Sequence, residues 1–266
     1  MPYFPQLSTG NLAQYPVVRR RRMRSVVNES PGGGRLAWAD ANAESTEWEL
    51  ALRGLTAAEW GAIESLFESR GGRLNSFVFL DPVDNLLGWS EELSADIWTA
   101  DPMLAIEAGR ADPVGTQRGS RLVNTGQAAQ RLTQALAAPA WFQYCLSAQV
   151  RSESRSPVRL VLRSAQSESS SVFEAGADWR PVWFAAKPGS TAEAVACGVE
   201  LAPGASVEVF GLQLEAQGGP GAYSSTPAQG GVYPACRFGD DVLRCTAEGA
   251  DQYAVTVRIT SCREGV

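Results

Sequence analysis

Acid–base chemistry in this 266-residue sequence falls to its 29 aspartates and glutamates, because it contains no histidine. That excludes Ser-His-Asp and Cys-His nucleophile arrangements, histidine general bases and His-ligated zinc. What survives is carboxylate chemistry, with glycoside hydrolysis by two converging acids as the leading case. The obvious pairs, Glu91-Glu92 and Asp240-Asp241, are neighbours in sequence. Adjacent residues on a strand face opposite ways, so neither pair reads as two acids converging across a cleft. Gly32-Gly33-Gly34 is followed by neither lysine nor a helix start, so it is no phosphate loop. These residues predict a protein that is not an enzyme and needs no cofactor or metal.

Flat aromatic side chains offer a second chemistry, because pyranose rings stack on them. Between residues 85 and 230 stand Trp89, Trp98, Trp141, Trp179 and Trp183, with Tyr144, Phe173 and Tyr223. Trp183 and Phe184 lie in the apolar run VWFAA and read as core, while Trp141 follows APA and reads as a strand cap. Trp89 and Trp98 sit in a less periodic stretch, which makes them the candidate glycan contacts.

A third feature is charge. The chain is net −6, which argues against a dedicated nucleic-acid binder, yet Arg19, Arg20, Arg21, Arg22 and Arg24 crowd one short run. One reading is a solvated strand edge that discourages pairing. Another is a subunit interface in which these arginines meet Glu44, Glu47 and Glu49 of a neighbouring copy. A third is contact with DNA in a channel.

The five cysteines, Cys145, Cys197, Cys236, Cys245 and Cys262, show no CxxC spacing. They read as buried free thiols, with a disulfide among Cys236, Cys245 and Cys262 as the alternative. No apolar run suits a signal peptide or a membrane span.

The elements that must position these residues are mostly strands. Residues 1–18 hold three prolines and read as an extended arm. VVRRRRMRSVVN and RLAWADA flank SPGGG, the pattern of a hairpin. TEWELAL alternates Trp48, Leu50 and Leu52 on one face. Thr56 to Glu59 forms a capping box, after which Trp60, Ile63, Leu66 and Phe67 recur at helical spacing until Gly71-Gly72. LNSFVFLDP returns as a strand. From Asn85 to about Gly230, short apolar stretches broken by Ser, Gly and Pro predict a β-sandwich or jelly roll. The closing segment alternates Tyr253, Val255, Val257 and Ile259 and has too few strands to fold alone. The expected organisation is therefore mainly β: a discontinuous domain of residues 1–84 and 231–266 with one helix, and an inserted sandwich of residues 85–230.

The stretch TEWELALRGLTAAEWGAIESLFESRGGRLNSFVFLDP resembles the core of phage minor tail proteins of the distal-tail type. FPQLSTGNLAQYPV, RFGDDVLRCTAEG and YAVTVRI are similar to other parts of the same pattern, which extends to gene transfer agents. The resemblance implies a six-copy ring at the tail tip, assembled in the host cytoplasm and joining the tail tube to the baseplate hub. In the middle, NLLGWSEELSADIWTADP, RLVNTGQAAQRLTQAL and VFGLQLEAQGGPGAYSSTP resemble carbohydrate-binding-type sandwiches attached to phage tail proteins. That implies a jelly-roll or galectin-like fold, with cell-surface glycans as possible partners.

Overall fold

The computed structural model describes residues 1–261, the side chains of 41–43 excepted. The chain is mainly β and divides into two compact units. The first comprises residues 1–7, 13–79 and 233–266, and the second comprises residues 8–12 and 80–232. Residues 8–12, read above as part of an extended arm, belong to the second unit.

The first unit is a six-stranded sheet with a helix. Its strands are β1 (Val17–Glu29), β2 (Arg35–Leu55), β3 (Phe77–Leu80), β14 (Val232–Phe238), β15 (Cys245–Gly249) and β16 (Gln252–Ser261). They follow the order β1-β2-β16-β14-β3, with β15 beside β16. Period-2 alternation puts Trp48, Leu50 and Leu52 on the same face as Val255, Val257 and Ile259, and all are buried. Phe4, Phe77, Phe79 and Phe238 complete that core.

Helix α1 (Ala57–Arg70) starts where its capping box dictates. The Thr56 hydroxyl accepts from the Glu59 amide at 3.2 Å, and the Glu59 carboxylate accepts from the Thr56 amide at 2.8 Å. Gly71 ends it in the left-handed region at φ 64°. Ile63 and Leu66 are buried, while Trp60 and Phe67 are half-buried against the same core. Phe67 packs edge-on to Phe238 at 5.1 Å.

The second unit is a β-sandwich of two five-stranded antiparallel sheets. One sheet runs β10-β9-β12-β7-β4, from β10 (Glu168–Ala175), β9 (Ser156–Arg163), β12 (Val195–Leu201), β7 (Gln130–Leu136) and β4 (Trp98–Ala100). The other runs β11-β8-β13-β6-β5, from β11 (Arg180–Ala186), β8 (Tyr144–Arg151), β13 (Ser206–Glu215), β6 (Gly119–Asn124) and β5 (Leu104–Arg110). Leu132, Leu160, Leu162 and Val199 from the first sheet, with Leu122, Leu146, Val150 and Val207 from the second, are buried.

The two chain crossings of the sandwich lie side by side. The Asp81 amide donates to the Gly231 carbonyl at 2.8 Å, and the Gly231 amide donates to the Asn85 carbonyl at 2.7 Å. Gly230 is required there, because a Cβ would meet the Leu86 carbonyl oxygen at 2.2 Å.

Cys145, Cys197 and Cys245 are free thiols, Cys236 is buried in the first unit's core, and Cys262 lies outside the described residues. Burial pushes the Cys145 thiol up to about 12, with Glu215 adding to it, so it is a poor nucleophile.

The helix packing gives a graded expectation. Ile63→Ala should cost about 2–5 kcal/mol in denaturant unfolding, whereas half-buried Phe67→Ala should fall below the range for a fully buried phenylalanine. A Phe67→Ala loss within the fully buried range of about 3–5 kcal/mol would contradict this packing.

Candidate functional site

The residues that resemble a carbohydrate-binding phrase are mostly occupied in holding the sandwich shut. Asn85 is fully buried. Its side-chain oxygen accepts from the Leu87 and Leu214 amides at 3.0 Å each, and its nitrogen donates to the Leu212 carbonyl at 2.9 Å. Gln134, also buried, accepts from the Gly88 amide and donates to the Gly88 carbonyl, both at 2.9 Å. The Thr226 hydroxyl donates to the Leu87 carbonyl at 2.6 Å.

The two tryptophans of the same phrase are built into this closure. Trp98 is 6% exposed, and its indole N–H donates to the Trp89 carbonyl at 3.1 Å. Its cross-strand partner is buried Gln134, so the ring faces the sandwich interior rather than solvent. Trp89 is half-buried in the left-handed region at φ 48°, and its amide donates to the Pro227 carbonyl at 2.6 Å.

The most exposed tryptophan of the sandwich stands in the apolar run VWFAA, which reads as core in the sequence. Trp183 is 47% exposed. In β11, Val182 faces inward opposite Ala148, so alternation turns Pro181 and Trp183 outward. Trp183 pairs with Ser147, which pairs in turn with Gln213. Pro181 pairs with Gln149, which pairs with Phe210. The outer face of this sheet therefore carries an exposed indole beside hydroxyl and carboxamide groups.

The β13 side of that face is built up by a polar cluster. Gly211 sits at φ 64° in a bulge, and a Cβ there would press on the Tyr223 ring at 3.3 Å. Tyr223 packs edge-on to Phe210 at 5.2 Å, and the Arg118 guanidinium lies over Phe210 at 5.2 Å. Arg118 also bonds Glu91 at 2.9 Å and Asp112 at 3.0 Å. The Tyr223 hydroxyl bonds Ser90 at 2.9 Å, and burial pushes this phenol up to about 12. Desolvation opposes ionisation of Asp112, yet hydrogen bonds from Thr116, Val114 and Arg118 hold its carboxyl at about 2.

Of the other tryptophans, Trp141 is 37% exposed, and Trp179 lies under the Arg151 guanidinium at 4.8 Å. Among the described residues, no group of three acidic or cysteine side chains is placed to hold a metal ion. No helix among them is long and apolar enough to cross a membrane.

The arginine cluster lies on β1, on both faces of the ribbon it makes with β2. Arg19 pairs with Trp48 and Arg21 with Thr46, on the core-facing side. Arg20 pairs with Glu47 and Arg22 with Ser45, on the opposite side. The carboxylates that reach these arginines belong to the same chain. Arg20 meets Glu49 at 3.7 Å, Arg22 meets Glu47 at 3.2 Å, and Arg24 meets Asp40 at 3.6 Å. Glu49 also meets Arg258 at 3.3 Å, and Glu44 is exposed.

No family model matches the chain, and no curated protein matches it. Solved structures similar to it include carbohydrate-binding modules and a phage tailspike domain. The tailspike protein 4 enzymatically active domain of bacteriophage CBA120 is 11% identical, with a TM-score of 0.40, covering 52% of this chain and 22% of that one. The chain thus spans about a fifth of that neighbour's length. TmCBM61 in complex with beta-1,4-galactotriose is 13% identical, with a TM-score of 0.39 over 49% of this chain and 97% of that one. The CBM22-1 xylan-binding domain of Paenibacillus barcinonensis Xyn10C is 8% identical, with a TM-score of 0.40 over 53% and 95%.

The Asp112 cluster has a pH signature. A carboxyl more acidic in the folded than the unfolded state stabilises above its unfolded value of 3.8, and loses that contribution as pH falls through about 2. Asp112→Asn should lower the melting temperature by a constant amount at neutral pH, and the gap should close between about pH 4 and pH 2. A gap that persists unchanged to pH 2 would show that the carboxylate charge is not what holds the loop.

Proposed function

We propose that this chain is a structural component of a phage-type tail tip, of the distal-tail kind. Its first unit assembles side by side into a ring that joins the tail tube to the baseplate hub, and its sandwich contacts host glycans or other tail proteins. The observation that carries this reading is the β1–β2 ribbon. From Arg20 to Asp40 its side chains are almost all exposed on both faces, including Met23 (66%), Val26 (41%), Leu36 (57%) and Trp38 (48%). A two-stranded ribbon cannot bury enough apolar surface to hold itself, and clustered exposed apolar side chains mark a protein interface. The resemblance of residues 46–82 to distal-tail cores supports the same reading, with six copies as the implied ring. The role is one of assembly, without catalysis.

Negative-stain imaging and mass photometry of the purified chain should show closed rings several times heavier than the 28.4 kDa subunit. A monomer at every accessible concentration would remove the reading.

A second reading, a receptor or polysaccharide-binding tail protein, is favoured by one observation. Trp183 stands exposed on a sheet face that offers Ser147 and Gln149 as hydrogen-bonding neighbours. An indole that stacks a sugar contributes on the order of 1 kcal/mol or more, so Trp183→Ala should weaken retention on a polysaccharide affinity gel about tenfold. Trp98→Phe, an interior change, should alter stability and leave retention unchanged. Unaltered retention in Trp183→Ala would take the glycan contact away from this face. Incubation with purified cell wall should release no sugar.

A further inference from the structure

We propose that the outer face of the β12 sheet is a second ligand site, built for a carboxylated sugar of the uronate kind and occupied by the chain's own Glu168 until such a ligand arrives. The site lies on the sheet that does not carry Trp183, so it stands apart from the glycan contact considered above.

The floor of this face is buried although it points away from the core. Alternation sends Leu160, Leu162 and Val199 inward, which turns Val161, Gly198, Glu200, Thr133 and Arg131 outward. Val161 is nevertheless 0% exposed, Thr133 6% and Glu200 8%. The cross-strand neighbours of Val161 are Gly198 and Ser170, which are too small to cover it. A Cβ on Gly198 would run into the Leu132 carbonyl, so the middle of the face carries no side chain there.

An ion pair between opposite corners of the sheet crosses this floor. Arg131 Nη1 and Nη2 donate to the two Glu168 carboxylate oxygens at 2.8 and 3.1 Å, and Arg131 Nε donates to Glu200 at 2.5 Å. Arg131 shares a row with Glu200 and Arg159, whereas Glu168 shares one with Arg163 and Ala196, four residues away along β12. β7 and β10 are separated by β12 and β9. On a flat sheet the two α-carbons would stand roughly 20 Å apart, beyond the joint reach of an arginine and a glutamate. The pair forms because the sheet is hollowed along that diagonal, and the line between its ends runs over Gly198 and Val161.

Glu168 has a nearer partner that it forgoes. Its cross-strand neighbour is exposed Arg163, opposite in charge and one strand away. The carboxylate therefore has two guanidinium seats, and ion pairs open to solvent differ little in energy. Moving from Arg131 to Arg163 uncovers the floor and frees the terminal N–H pair of Arg131, a planar fork that fits a carboxylate. The Arg131 and Glu168 side chains are 28% and 34% exposed, so a ligand reaches the pair from solvent. It takes the place that Glu168 leaves, and Glu168 is not left unpaired.

Glu200 selects the kind of anion. It is bonded by Arg131 and meets Arg159 at 3.4 Å, and its remaining acceptor capacity suits a ligand that brings hydroxyl donors. A uronate carries a carboxylate and hydroxyls on one ring. An acidic peptide side chain brings the carboxylate alone.

The test is calorimetric titration of the full chain in a Trp183→Ala background, which removes the other glycan contact. The probes are trigalacturonate, neutral galactotriose and triglutamate. Trigalacturonate should bind and the other two should not. Adding Glu168→Gln removes the internal occupant and should tighten binding about fivefold. Adding Arg163→Gln takes away the second seat and should weaken binding, yet have no effect once Glu168→Gln is present. That coupling is one a merely structural role would not produce. Arg131→Gln should abolish binding in both backgrounds. Should that variant fail to fold, the exposed Arg163 position decides, and an equal loss with and without Glu168 would overturn the exchange of seats. Trigalacturonate binding by wild type but by no Trp183→Ala variant would leave the Trp183 contact standing and overturn this site. Equal binding of galactotriose or of triglutamate would overturn the uronate assignment.

Discussion

One buried carboxamide, that of Asn85, closes the sandwich. It satisfies two backbone amides and a carbonyl that water cannot reach, while the main-chain carbonyl of the same residue receives the returning chain from Gly231. Leaving one such group unpaired in the interior costs about 1–3 kcal/mol, so the side chain at this position is confined to one that both donates and accepts. Because Asn85 ties the entering strand to the exit, the two crossings of the inserted unit stay side by side. A unit inserted with adjacent ends adds little closure entropy to the domain that hosts it, which is why the first unit can be built from distant parts of the chain.

That constraint separates architecture from recognition in the sandwich. The most recognisable words of the sequence, around Asn85, Trp89, Trp98, Gln213 and Thr226, are spent on hydrogen bonds that close the fold. Gln213 takes the Ser224 amide at 2.8 Å, and Thr226 takes Ser90 as its partner at 3.0 Å. Residues committed in this way are poor candidates for ligand exchange. What remains available is the outer face of the β8 sheet, where Trp183, Ser147 and Gln149 answer to no closure requirement.

The same division explains what was legible in the sequence. Helix α1 was readable to the residue, because a capping box and a terminal glycine act within a few positions of each other. The buried face of β2 was readable from Trp48, Leu50 and Leu52 for a similar reason. Trp183 was misread because VWFAA looks uniformly apolar. Its outward side is fixed by pairing with β8, some forty residues away, where YCLSAQVR alternates buried Tyr144, Leu146, Ala148 and Val150 with Ser147 and Gln149. Trp98 was misread because its strand, β4, is only three residues long and has no period to detect. The extent of the β1–β2 ribbon was hidden because a segment exposed on both faces has no apolar alternation to reveal it.

The arginines of β1 illustrate how little a local energy says about a role. The Arg20 and Arg22 side chains are 59% and 70% exposed, and exposed ion pairs contribute about 0–1 kcal/mol each to folding. Stability alone therefore gives no reason to concentrate five arginines in so short a run of an acidic chain. Discrimination between partners does. Specificity is a difference between two contacts, and a wrong contact that opposes several like charges is penalised even when the right one gains little from each pair. An exposed strand edge that pairs with anything is an aggregation hazard, and blanketing it with charge of one sign is a way to exclude copies of itself.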